Sequence, residues 1–175
     1  MNFTKKFVRI TFVEFEEIHQ KIEPLIGKKC TNMRKAISNR NRLAVTLFYL
    51  ASGDSFNNLS IVFKIAPCTI GKIITDVCEA IYNILKEDYL KTPSTVEEWY
   101  KIADGFWEKW NFMNYMGALD GKHMNIIKPD RSGSEYYNYK GHCSIVLMAL
   151  ADANHCFTYV NIGAKGSGSD GGIFN

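Results

Sequence analysis

The chain has 175 residues, room for one large domain or two small ones. Its composition, 46% hydrophobic, 22% charged and 13% aromatic, is ordinary for a globular protein. A formal net charge of +3 excludes an overwhelming basic field, and the lack of a long apolar run excludes a membrane span.

Phe12, Phe15, Ile18, Ile22 and Leu25 or Ile26 recur at helical spacing, which predicts a helix with a kink or stop at Pro24. Residues 28–42 then carry Lys28, Lys29, Arg34, Lys35, Arg40 and Arg42 with no acidic residue among them. That segment reads either as a solvated connector or as a phosphate-binding patch. Residues 43–50, LAVTLFYL, form a compact apolar run ahead of Gly53, read as a helix with a glycine stop. Ser55 is placed to cap a short helix ending at Phe63, with Leu59, Val62 and Phe63 inward. After a tight connection, Pro67 suits the first turn of a long helix with apolar positions from Ile70 to Leu85. Short helix, brief turn and long amphipathic helix make a helix-turn-helix arrangement, and a purely structural helical hairpin has the same periodicity. On the first reading Thr69 and Lys72 lie near the exposed N-terminal end, where base or phosphate contacts arise, and Gly71 weakens the helix there.

Ser94 with Glu97, or Thr95 with Glu98, forms a capping box for the next helix. Trp99, Ile102, Ala103, Phe106 and Trp110 repeat on one face of it, which predicts a core-facing stripe on a bracing helix. From residue 115 the texture changes to strands, expected over 115–119, 123–128, 143–151 and 156–163. Gly121 reads as a tight connection between the first two and Ala153-Asn154 as the hairpin turn between the last two, giving an antiparallel meander.

Five cysteines, Cys30, Cys68, Cys78, Cys143 and Cys156, include no CxxC pair. Cys78 and Cys143 read as buried small hydrophobes. No secretory signal precedes them, so free thiols in a reducing compartment are expected. The pairs His142-Cys143 and His155-Cys156 lack the compact spacing of structural zinc sites.

Two segments carry the chemistry: GALDGKHM at 117–124 and GSGSDGGIF at 166–174. Each places an aspartate beside glycine at the end of an apolar or small-residue run. Taken alone, Asp120 reads as a turn residue and Asp170 as a helix N-cap, while Asp152 suits the hairpin. Together with Trp110-Asn111-Phe112, YYNYKGH at 136–142 and the apolar runs that follow, the pattern resembles the DDE-superfamily endonucleases of the PIF/Harbinger transposase group. The resemblance covers nearly the whole chain and is strongest over residues 93–175.

It implies an α+β chain. Residues 1–92 would form a helical region with helix-turn-helix character and 93–112 the bracing helix. Residues 113–175 would form the antiparallel first half of an RNase H-like α/β nuclease domain. The activity implied is divalent-metal-dependent hydrolysis of DNA phosphodiester bonds, with Asp120 and Asp170 as catalytic and metal-holding members of an acidic triad. The metal would be Mg²⁺, or Mn²⁺, and two ions together activate the attacking oxygen and stabilise the leaving one. The family's third acidic residue comes from a helix well beyond the second. Nothing follows Asn175, so a fragment with little or no nuclease activity is expected. Candidate DNA contacts are Arg40, Arg42, Thr69, Lys72, Lys122, Lys140 and His142, with His123 beside them. The resemblance also implies a nuclear site of action, with the cytoplasm second, and a Myb-like DNA-binding partner. The alternatives are a non-catalytic DNA-binding or protein-interaction module, and an inert remnant.

Overall fold

The computed structural model describes residues 8–28, 36–168 and 172. The chain divides into two compact units, Met1–Lys86 and Glu87–Asn175.

In the first unit, helix α1 (Phe12–Ile26) opens on a capping box: Thr11 Oγ1 accepts from the Glu14 N–H and the Glu14 carboxylate accepts from the Thr11 N–H. Pro24 is accommodated in the last turn, and the helix stops at Gly27. Helix α2 (Asn39–Ser52) is capped by Ser38 and ended by Gly53, whose left-handed φ of 68° lets its N–H reach the Tyr49 carbonyl at 2.8 Å. Helix α3 (Phe56–Phe63) starts at the Ser55 cap, and α4 (Pro67–Tyr89) follows one turn later. Ile22, Leu43, Leu59, Ile70 and Val77 are wholly buried where these helices meet. Val62 departs from expectation at 61% exposed. Lys64 turns left-handed and ends α3, so the inward pair is Leu59 and Phe63, four residues apart, with the Phe63 ring edge-on to Phe48. Val62 falls outside that pair.

Arg42 also departs from expectation. It is only 4% exposed on α2, with its guanidinium 2.9 Å from the Asp76 carboxylate of α4. The same oxygen lies 3.0 Å from Lys28 Nζ. Arg40 pairs with Glu16 of α1. The described cations of the basic segment are therefore engaged by carboxylates, and Arg42 is a core residue rather than a surface contact. Lys29, Cys30, Arg34 and Lys35 lie outside the described residues.

In the second unit, helix α5 (Val96–Trp110) begins with the Thr95–Glu98 capping box and ends at left-handed Asn111. Of its aromatic stripe only Phe106 is buried. Trp110 is half exposed and donates its indole N–H to the Ala153 carbonyl at 3.1 Å, which fastens the helix to the hairpin turn. Strands β1 (Ala118–Asn125), β2 (Ser144–Ala151) and β3 (Phe157–Lys165) form an antiparallel sheet in the order β1-β2-β3. The chain is thus α+β, with the meander as expected. The separate strands expected at 115–119 and 123–128 are one strand instead, running straight through Gly121. Each of its residues faces a partner on β2, from Ala118 opposite Ala151 to Asn125 opposite Ser144. An unbroken ladder of this length overrides the turn tendency of an Asp-Gly pair. The β2–β3 ladder is less regular, with register shifts at Val146/Leu147 and Leu150/Ala151 and a left-handed Gly163.

Cys78 and Cys143 are half-buried, Cys68 and Cys156 exposed, and all four are free thiols; burial pushes the Cys78 thiol up. Among the described residues no helix is long and apolar enough to cross a membrane.

The Lys28 hydrogen bond, joined by that of Arg42, holds the Asp76 carboxyl below the usual range against the opposing effect of partial burial. A depressed folded value stabilises the fold above the ordinary carboxylate range and loses that contribution as pH falls through it. Asp76→Asn leaves the Arg42 charge buried without its anion and is expected to cost about 1–3 kcal/mol near neutral pH. Urea titration at neutral pH and at successively lower pH checks both points, the gap between the two proteins closing in acid.

Candidate functional site

Asp120 is the third residue of β1, directly opposite Ala149. It stands inside the strand rather than at its end, since the ladder continues five residues further. Its carboxylate is exposed, and Oδ1 accepts the N–H of Gly121 at 2.9 Å. Among the described residues Oδ2 has no partner, and the facing side chain is only a methyl group. An open carboxylate on a rigid strand suits a hard cation such as Mg²⁺. Lys122 lies two residues along on the same face, opposite Leu147. Asp170, the second expected ligand, lies outside the described residues. Among the described residues no three His, Cys, Asp or Glu side chains gather around a common point.

A polar knot at the other end of the sheet was not legible in the sequence. Ser144, wholly buried at the start of β2, lies 2.9 Å from His123 Nδ1 of β1 and accepts from Asn138 Nδ2 at 2.9 Å. Asn138 is 3% exposed, and its Oδ1 accepts the N–H groups of Lys140 at 3.0 Å and His142 at 3.2 Å. Its own N–H donates to the His142 carbonyl at 2.8 Å. The turn is thereby built around one amide, and the exposed side chains of Lys140 and His142 project from it. Asn138 ahead of Lys140-Gly141 was the one available signal, an asparagine whose side chain folds back on its own turn.

Gly166 closes the knot. Its N–H donates to the Ser144 carbonyl at 2.9 Å, and a Cβ there would overlap Ser144 Oγ and come within 2.6 Å of the Ser144 and Tyr136 carbonyl oxygens. Asp152 takes the hairpin role expected of it. Partial burial would raise its carboxyl, but the N–H groups of Cys156 and Asn154 outweigh this and hold it below the usual range.

In the first unit, the N-terminal ends of α3 and α4 line a groove of about 800 Å³ with Lys28, Phe56, Cys68, Lys72 and Asp76 on its walls. Lys72 is exposed; Thr69 is half-buried, its N–H bonded to the Ala66 carbonyl at 2.9 Å. Gly71 has a packing reason: a Cβ there would stand 3.3 Å from the Phe56 ring. Of the other candidate DNA contacts in this unit, Arg40 is ion-paired with Glu16 but stays exposed, and Arg42 is buried against Asp76.

Gly166→Ala is expected to destabilise the second unit by about 1–3 kcal/mol, because the neighbouring atoms are backbone oxygens with little freedom to retreat. Urea unfolding followed by tryptophan fluorescence measures it, and an unchanged midpoint counts against the knot as described.

Residues 119–175 match the family described as DDE superfamily endonuclease. A similar protein is "Putative nuclease HARBI1" of Xenopus laevis, 20% identical over 145 residues. That likeness covers 83% of this chain and 42% of the relative, so the chain spans under half the length of the protein it matches. No solved structure matches the chain. The stretch that holds both Asp120 and Asp170 is similar to the DDE superfamily endonucleases, the family that its motifs resemble.

Proposed function

We propose that the chain is a transposase-derived, DDE-type DNA endonuclease whose divalent-metal site is held by Asp120 and Asp170. The observation that carries this reading is the family match, which begins one residue before Asp120 and takes in Asp170. The open carboxylate of Asp120, on a strand paired along its whole length, supports it. So does the antiparallel meander, which is compatible with the first half of an RNase H-like domain. Asp120 and Asp170 would hold Mg²⁺, or Mn²⁺, which would supply Lewis-acid stabilisation of the phosphoryl and leaving oxygens and lower the pKa of the attacking water. Lys122, on the Asp120 face, offsets phosphate charge, while Lys140 and His142 meet the backbone further along the sheet. A nuclear site of action and a Myb-like DNA-binding partner belong to the same reading.

Two carboxylates hold Mg²⁺ weakly, because this ion dehydrates reluctantly and keeps its waters unless several oxygens replace them. The 175 residues alone are therefore expected to nick supercoiled plasmid little or not at all with Mg²⁺. Mn²⁺ binding, followed by water proton relaxation, is expected to weaken at least about tenfold in Asp120→Ala. Binding indifferent to Asp120 removes the metal site, and vigorous nicking abolished by Asp120→Ala removes the inactivity.

A second reading, a non-catalytic DNA-binding module, is favoured by the groove at the ends of α3 and α4. Lys72 and Lys28 are exposed cations on its walls, the second paired with Asp76, and helix N-termini carry partial positive charge suited to phosphate. Lys72→Ala is expected to lower duplex affinity without metal and to reduce the salt slope by about one. An unchanged slope in a filter-binding titration discards that contact.

A further inference from the structure

The turn around Asn138 displays an aromatic ring as well as charge. Tyr139 is 80% exposed, and single exposed aromatics are ordinary on protein surfaces. This one is held. Its backbone sits in the turn whose N–H groups converge on Asn138 Oδ1, and its ring meets the His123 imidazole at 5.6 Å and 77°. His123 in turn is fixed by the buried Ser144 hydroxyl. Lys140 Nζ lies 5.4 Å from the centre of the Tyr139 ring, and His142 is exposed on the same turn.

A tyrosine that is largely exposed, touches an imidazole and carries an ammonium over its ring combines the two things an unpaired nucleotide needs once the lysine swings from the ring to the phosphate. The ring offers a stacking surface that every base can use, and the ammonium offsets the adjacent phosphate. In a duplex the base faces are already stacked on one another, so such a ring gains little there. We propose that Tyr139 is a base-stacking contact for single-stranded DNA, with Lys140 as its phosphate partner. The role rests on the DNA reading above, but needs neither metal nor cleavage. The alternative, a phosphate contact by the turn without stacking, predicts that duplex and single strand are held alike.

The test uses the whole chain in EDTA, with fluorescence anisotropy of a labelled oligothymidine and of a labelled duplex of equal length. Tyr139→Ala is expected to weaken single-strand binding by roughly 5- to 150-fold, and duplex binding by less than about twofold. Tyr139→Phe restores single-strand binding because the ring, not the hydroxyl, stacks. Tyr100→Ala, an exposed aromatic on α5, leaves both affinities unchanged. The proposal is overturned if Tyr139→Ala binds single strand as wild type does, if it loses both ligands equally, or if Tyr139→Phe fails to rescue. Wild-type protein that binds neither DNA form overturns it together with the DNA reading. Mn²⁺ binding that is indifferent to Asp120→Ala, with the Tyr139 effect intact, removes the metal-site reading alone.

Discussion

The hydroxyl of Ser144 is the contact on which the order of the second unit depends. It is wholly buried, yet it takes the Asn138 amide on one side and meets His123 on the other. A buried hydroxyl needs an acceptor for its proton, and His123 Nδ1 at 2.9 Å serves as one in the tautomer that leaves this nitrogen unprotonated. Three segments far apart in sequence are thereby joined at one point: strand β1 through His123, the Asn138 turn, and the Gly166 turn through the Ser144 carbonyl. An apolar residue at 144 would leave the amide of Asn138 without its acceptor inside the protein. The knot therefore sets where the basic turn stands relative to the sheet.

The first unit is organised by a different economy of charge. Asp76 accepts from both Lys28 and Arg42, one of them exposed and the other buried. Removing a guanidinium from water is costly unless an anion faces it, so α2 and α4 are held in register by that requirement as well as by Leu43 and Ile73. The overall charge of the chain says nothing of this. A run of cations that looks like one surface is divided between the interior and the exterior.

Much of the helical architecture was legible because caps are local. Ser55, Pro67, Gly53 and the Thr95–Glu98 pair all act on neighbours within four residues, and each sits at the boundary expected of it. The failures share a cause, which is that the deciding partner lies far away in sequence. Gly121 beside Asp120 has the chemistry of a turn, but the paired residues on β2 keep the strand straight. Arg42 has the chemistry of a surface contact, but Asp76, 34 positions on, draws it inside. The aromatic stripe of α5 was right in its periodicity and wrong in its depth, since only Phe106 finds full cover. Asp120 is a candidate because of motif order, and its surroundings became visible only in the ladder. Ser144 showed nothing in advance, because a serine opening a strand is unremarkable until the imidazole and the amide arrive.

The irregular β2–β3 ladder has a consequence for how this sheet can grow. Within the second unit, among the described residues, β2 is central while β1 and β3 each have one free side. Left-handed Gly163 and the two register shifts put the outer donors and acceptors of β3 out of step with any flat strand laid beside it. β1 has no such interruption over its eight residues. A fourth strand, from whatever source, would thus find its matching template on the margin that carries Asp120, and would bring its own side chains alongside that carboxylate.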